Sequence, residues 1–131
     1  MSKRGIDTNV LIYALDRESD FHQSALRTLV VFGESKTGVV CWQNLTEFYA
    51  IVTDKKRIKT PLPPQTAVRE LHTLLNTFSL EIVGPNLLTK KLWFDLLKTR
   101  NIKGQMVHDI FLAATLLSNG VKILVTENTR D

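Results

Sequence analysis

Three acids stand where the local sequence raises a chemical question: Asp7, Glu47 and Asp109. Asp7 is set between Ile6 and the run Val10-Leu11-Ile12. A carboxylate that near a core must be paired, hydrogen-bonded or bound to a metal. The same stretch also suits a helix start, where Asp7, Thr8 or Asn9 would accept a backbone N–H, and the local sequence does not choose between a cap and a site. Glu47 has a stronger structural explanation, since Asn44-Leu45-Thr46-Glu47 carries the spacing of a capping box. Taken alone, it reads as a capping or solvated glutamate. Asp109 lies one turn before Leu112, Ala113 and Leu116, at the entrance of a helix that is apolar almost all round. A first-turn acid gains only about 0.3–1 kcal/mol from the helix dipole. That is small beside the cost of a carboxylate at the mouth of a buried helix, so a cation partner explains Asp109 better.

Acids of this kind suit magnesium, which takes oxygen ligands in an octahedron, keeps several waters and needs few protein carboxylates. Such an ion activates water and steadies charge on a phosphodiester undergoing displacement. Clustered carboxylates without a cation would repel one another and resist ionisation. The three acids are far apart in sequence, and only a fold can bring them together.

The elements that would position them alternate. Short, nearly continuous apolar runs at 39–42, 80–83 and 121–125 read as strands, with a weaker one at 3–7 because Arg4 and Gly5 are poor strand residues. Continuity of this sort fits a buried parallel sheet. Helical spacing places helices at 10–15, at 21–32 with Asp20 as N-cap, at 44–53 opened by Asn44, and at 65–77 with Val68, Leu71 and Leu75 on one face. Two more follow at 87–99 and 106–118, the last ending at Asn119-Gly120. Pro61, Pro63 and Pro64 make the one strong break. This alternation argues for an α/β domain.

The chain has 131 residues, enough for one domain with a core. Hydrophobic residues make up 44% and charged residues 23%, the balance of a soluble globular protein. No apolar run is long enough to span a bilayer, and Met1-Ser2-Lys3-Arg4-Gly5 lacks the apolar stretch of a signal peptide, so a cytoplasmic setting is the default. A single cysteine, Cys41, excludes an internal disulfide framework and a multi-cysteine zinc site. The net charge of +4 suits a polyanionic partner without demanding one.

Four segments together resemble the PIN-domain nucleases, and among them the toxin component of VapBC toxin–antitoxin pairs. They are Asp7-Thr8-Asn9-Val10-Leu11-Ile12, Asn44-Leu45-Thr46-Glu47-Phe48, His108-Asp109-Ile110-Phe111-Leu112-Ala113-Ala114 and Leu124-Val125-Thr126-Glu127-Asn128-Thr129-Arg130-Asp131. The resemblance spans nearly the whole chain as one domain over 1–131. It implies a three-layer α/β/α sandwich around a central parallel sheet of four to five strands. It also implies Asp7, Glu47 and Asp109 as a catalytic acidic cluster binding Mg2+ or Mn2+, and endonucleolytic cleavage of RNA. A small antitoxin partner and a homodimer come with the same resemblance. Asn128 matches the family's variable fourth site residue and adds no charge. Thr8 and Thr126 are candidates to hydrogen-bond the carboxylates from behind. Family members usually carry a more apolar first strand than Lys3-Arg4-Gly5-Ile6, and continue past the position of Asp131 with an aromatic residue and a short strand.

Other features have structural explanations beside functional ones. His22, His72 and His108 are too scattered for a zinc motif. Lys55-Lys56-Arg57 with Lys59, and Arg100 with Lys103, are candidates for phosphate contact or ordinary solvated helix ends. Trp42, Phe48, Tyr49, Trp93 and Phe94 are of a type that stacks on unpaired bases, and equally of a type that fills cores or dimer surfaces. Two rival functions remain. A phosphatase with an aspartyl nucleophile wants a second aspartate two residues on, where Asn9 stands. A catalytically idle PIN fold would serve as an RNA-binding or protein-interaction module.

Overall fold

A computed structural model describes residues 2–126. Its elements run β1 (Arg4–Ile6), α1 (Thr8–Leu15), α2 (His22–Ser35), β2 (Gly38–Cys41), α3 (Trp42–Val52), α4 (Pro64–Thr77), β3 (Glu81–Val83), α5 (Thr89–Thr99), α6 (Met106–Ser118) and β4 (Leu124–Val125). The four strands form one parallel sheet in the order β3-β2-β1-β4. The chain therefore steps outward on one side of β1 and later returns to pair on its other side.

Strand β2 is buried on both faces because its side chains alternate between two cores. Val40 packs with Ile6, Val10, Leu11, Leu29, Phe48 and other residues of α1 to α4. Val39 and Cys41 pack instead with Val83, Leu112, Leu116 and Val121 on the α6 side. The sheet is thus the middle layer of an α/β/α sandwich. Gly5, an unpromising strand residue on propensity, has a packing reason: a Cβ there would lie 2.9 Å from Leu116 Cδ1. Its absence lets α6 sit down on β1. At the edges the burial is incomplete, with Ile82 on β3 and Leu124 on β4 both exposed, so continuous apolar character did not imply full burial there.

Several boundaries move from where the sequence places them. Helix α3 begins at Trp42, two residues before Asn44, with Cys41 as its N-cap. Asn44 is the third helical residue, and its Oδ1 accepts from Cys41 N at 2.9 Å. The box is closed one turn earlier than expected, and Glu47 is released from capping. Helix α2 is capped at Phe21 rather than Asp20 and takes no side-chain cap; Ser19 Oγ accepts from Phe21 N instead. On α4 the buried face is Ala67 and Leu74, while Val68 is exposed; small Ala67 allows the closer approach. Helix α6 keeps its expected span but is not buried all round, since Met106 and Leu117 face solvent. Its other flank is covered by α5, where Trp93 meets Phe111 edge-on at 5.3 Å. No helix among the described residues is long and apolar enough to cross a membrane.

Candidate active site

In an open parallel sheet, loops beyond the carboxyl ends of the strands leave a crevice where strand order reverses. Here that place is beside β1, between β2 and β4. Asp7 follows directly on β1, and its N–H donates to Val125 O of β4 at 2.9 Å. Its Oδ1 accepts from Thr8 N at 2.8 Å, so Asp7 is the N-cap of α1. The cap and the cleft are not alternatives, because the same carboxylate also lines a cleft of about 470 Å³.

That cleft brings together the three acids. Asp7 comes from the β1–α1 junction, Glu47 from the second turn of α3 and Asp109 from the first turn of α6, with Thr8, Asn9 and Gln43 between them. Glu47 and Asp109 are exposed and Asp7 half-buried. The exposure of Asp109 removes the burial argument made from its sequence surroundings; its position on the cleft is what recommends it.

A buried hydrogen-bond relay holds Glu47. Asn44, 1% exposed, accepts from Cys41 N and donates through Nδ2 to Thr8 Oγ1 at 3.0 Å. Thr8 Oγ1 in turn donates to Glu47 Oε1 at 2.8 Å. Buried polar groups persist only where they are paired, and this chain of partners ties β2, α3 and the β1–α1 junction to one carboxylate oxygen. Asn44 was expected as a helix cap; its role as a positioning residue needs the contact with Thr8, 36 residues away. Thr126 Oγ1 donates to Asn9 Oδ1 at 3.0 Å, so this bond runs to a cleft amide rather than a carboxylate. Asn128 lies outside the described residues.

The basic clusters are placed elsewhere. None of Lys55, Lys56, Arg57, Lys59, Arg100 and Lys103 lines the carboxylate cleft. A lysine not singled out from sequence, Lys122, shares an adjoining depression with Asp109. Among the described residues the ion pairs are Lys3–Glu81 and Lys91–Asp95, neither of which reaches the three acids. His108 is exposed near the cleft. His22 meets Tyr13 O through Nδ1 at 2.8 Å, and His72 meets Asn76. Of the aromatic candidates, Phe48 is fully buried and Trp93 packs between Phe94 and Phe111, whereas Trp42 is 58% exposed.

The model of the PIN domain matches residues 6–130. The chain belongs to the PIN domain family. Relatives of this PIN domain include ribonuclease VapC37 of Mycobacterium tuberculosis strain ATCC 25618 / H37Rv, 26% identical over 91% of this chain and 83% of that protein. Ribonuclease VapC24 of M. tuberculosis strain CDC 1551 / Oshkosh is 28% identical over 94% of this chain and 84% of its own. Among solved structures, VapBC2 from Rickettsia felis bound to a promoter DNA fragment superposes with a TM-score of 0.69 at 21% identity, over 95% and 87% of the two chains. M. tuberculosis VapC20, a sarcin-ricin loop cleaving toxin, gives 0.65 at 15% identity, over 97% and 91%. These likenesses bear out the PIN fold and the resemblance to VapBC toxins.

For this PIN domain the donor set can be weighed against a metal. Three carboxylates, a hydroxyl and two amides are oxygen donors of the kind hard cations take. Among the described residues the lining includes no lysine or arginine to balance them. Among the described residues no three histidine, cysteine, aspartate or glutamate side chains stand close enough together to hold a metal ion as a group. By donor type alone the set fits magnesium, an ion that keeps part of its water shell and takes only one or two carboxylates directly.

Proposed function

We propose that this protein is a metal-dependent endoribonuclease that hydrolyses RNA phosphodiester bonds, and that it is the toxin of a type II toxin–antitoxin pair. The observation that carries the reading is the meeting of Asp7, Glu47 and Asp109 on one cleft at the carboxyl ends of the strands. The VapC relatives are named ribonucleases, and one neighbouring structure is a toxin that cleaves the sarcin-ricin loop. The R. felis neighbour is a VapBC assembly, which supports a small antitoxin as the partner here; a homodimeric state and a cytoplasmic setting belong to the same proposal.

Asp7, Glu47 and Asp109 would hold Mg2+ or Mn2+. When bound, such an ion supplies a nucleophilic water at neutral pH and offsets the charge that builds on the phosphodiester. The chain's own part is orientation. Thr8 and Asn44 hold one oxygen of Glu47 in place, the backbone N–H of Thr8 fixes Asp7, and Gln43 bridges α3 to α6 by donating to His108 O at 3.1 Å. A preset carboxylate geometry spares the reorganisation that would otherwise accompany the reaction.

Purified protein is expected to cleave structured RNA with magnesium or manganese and to lose that activity when Asp7 or Asp109 becomes Asn. Retained cleavage in both variants would sink the assignment. That no three such side chains among the described residues stand close enough to hold an ion as a group favours a second reading, a catalytically idle PIN fold that binds RNA or protein. Calorimetric titration with manganese separates the two: no binding at millimolar ion selects the idle module.

A further inference from the structure

We propose that Trp42 is a stacking platform for an unpaired RNA base flanking the phosphodiester at the carboxylates, an inference that rests on the nuclease reading above. Trp42 is the first residue of α3 and is 58% exposed. An indole left in water gives up much of the gain its burial would bring, and this one borders a depression that shares Gln43 and Glu47 with the carboxylate cleft. The ring is braced rather than loose. It rests on Gly84 after β3, where a Cβ would come within 2.9 Å of Trp42 Cδ1. Glycine at that position gives the indole edge a flat seat.

The ring borders a second depression of about 570 Å³ with Pro85, His108 and Phe111. Gln43 and Glu47 line both this depression and the carboxylate cleft, so the two are continuous. Glu47 follows Trp42 by five residues on the same helix, about 7.5 Å along the axis, a span that one nucleotide bridges from base to phosphate. Among the described residues the depression has no lysine or arginine in its wall, which suits the face of a base better than a phosphate. Aromatic rings serve single-stranded RNA in this way because every base has a face to stack. Trp42 and Glu47 line the same depression, so a base stacked on the indole lies beside the carboxylate cleft.

The test uses the full chain. In a D7N background with Trp93→Phe, Trp42 is the remaining tryptophan of the two. A short single-stranded oligoribonucleotide of mixed sequence should quench its emission, with the same midpoint as the anisotropy of the fluorescein-labelled RNA. With Asp7 intact, Trp42→Ala should raise KM about tenfold and change kcat less than about threefold, and Trp42→Phe should restore most of the loss. RNA that binds the D7N, Trp93→Phe protein with Trp42 emission unchanged while the wild type cleaves it, or a Trp42→Ala enzyme equal to the parent, overturns the platform and leaves the nuclease standing. Conversion of a dimer to a monomer by Trp42→Ala, without quenching by RNA, overturns it in favour of an interface between copies. A wild-type protein that neither binds nor cleaves RNA removes both readings together.

Discussion

Thr8 Oγ1 donates a 2.8 Å hydrogen bond to Glu47 Oε1, joining the first turn of α1 to the second turn of α3 across 39 residues of sequence. The bond is one half of a relay, since the same hydroxyl accepts from Asn44 Nδ2. A hydroxyl has one proton to give and lone pairs to receive, so the direction of the relay is set: amide to hydroxyl to carboxylate. Among the described residues Glu47 is thereby held without a positive partner, and its side chain stays available to the cleft.

Thr8→Val keeps the shape of residue 8 and deletes the relay's middle atom. Activity on RNA should fall roughly 10- to 100-fold, the range seen when groups that orient metal-binding side chains are removed. Thr8→Ser, which keeps the hydroxyl, should lose much less. Steady-state cleavage assays on the two variants check this, and equal activities would show that Glu47 needs no such support.

Asn44→Ala acts on stability as well as on the site. It removes the acceptor for Cys41 N and the donor to Thr8 in a spot that is 1% exposed. An orphaned buried polar group costs about 1–3 kcal/mol, so denaturant unfolding should show a loss of at least that order. Asn44→Asp should destabilise too, because its second oxygen would accept where an N–H is needed to donate.

Manganese should stabilise the folded protein through the three acids. Binding to the native state alone adds RT ln(1 + [L]/Kd), about 2.7 kcal/mol when the ion is 100-fold above Kd. For a chain of this size that corresponds to a rise in Tm on the order of 10 °C. Thermal melts with and without manganese should show the rise in the wild type and lose most of it in D7N and D109N. An equal rise in all three would place the ion elsewhere.

Cys41 predicts a pH dependence. Burial pushes its thiol up from 9.0 to about 11, since a thiolate is poorly solvated there. The raised value means the native state holds the proton where the unfolded chain releases it. The associated stability is fully present below the unfolded pKa and is lost as pH rises from 9.0 through about 11. Between about pH 8 and about pH 10 the wild type should lose roughly 1.4 kcal/mol more than Cys41→Ala, read from urea unfolding at each pH. Matching slopes would contradict it. The native thiol should also resist alkylation until the chain unfolds.

Much of the scaffold is readable from local pattern. Alternating short apolar runs and helical stripes predict the order of strands and helices, because strand and helix periodicities differ and a parallel sheet must bury both faces. The errors have physical causes. The capping spacing at Asn44 does not say which turn closes, and Cys41, a weak hydrogen-bonding residue, gives no cap signal although it is the N-cap. The helical stripe points to Val68 as buried, but the small Ala67 occupies that face and Val68 is exposed. The burial of α6 was overestimated because local hydrophobicity cannot tell how far α5 covers it.

The site divides along the same line. The residue types Asp7, Glu47 and Asp109, with the segments around them, are properties of the sequence, as are the fold class and family that those segments carry. What only the tertiary structure decided is that the three carboxylates share one cleft, that Thr8 and Asn44 orient Glu47, and that Trp42 stands open beside them while Phe48 is sealed in the core. Those relations join residues tens of positions apart. Local propensity acts over a few residues, whereas sheet order and the packing of α3 and α6 against it set which distant side chains meet.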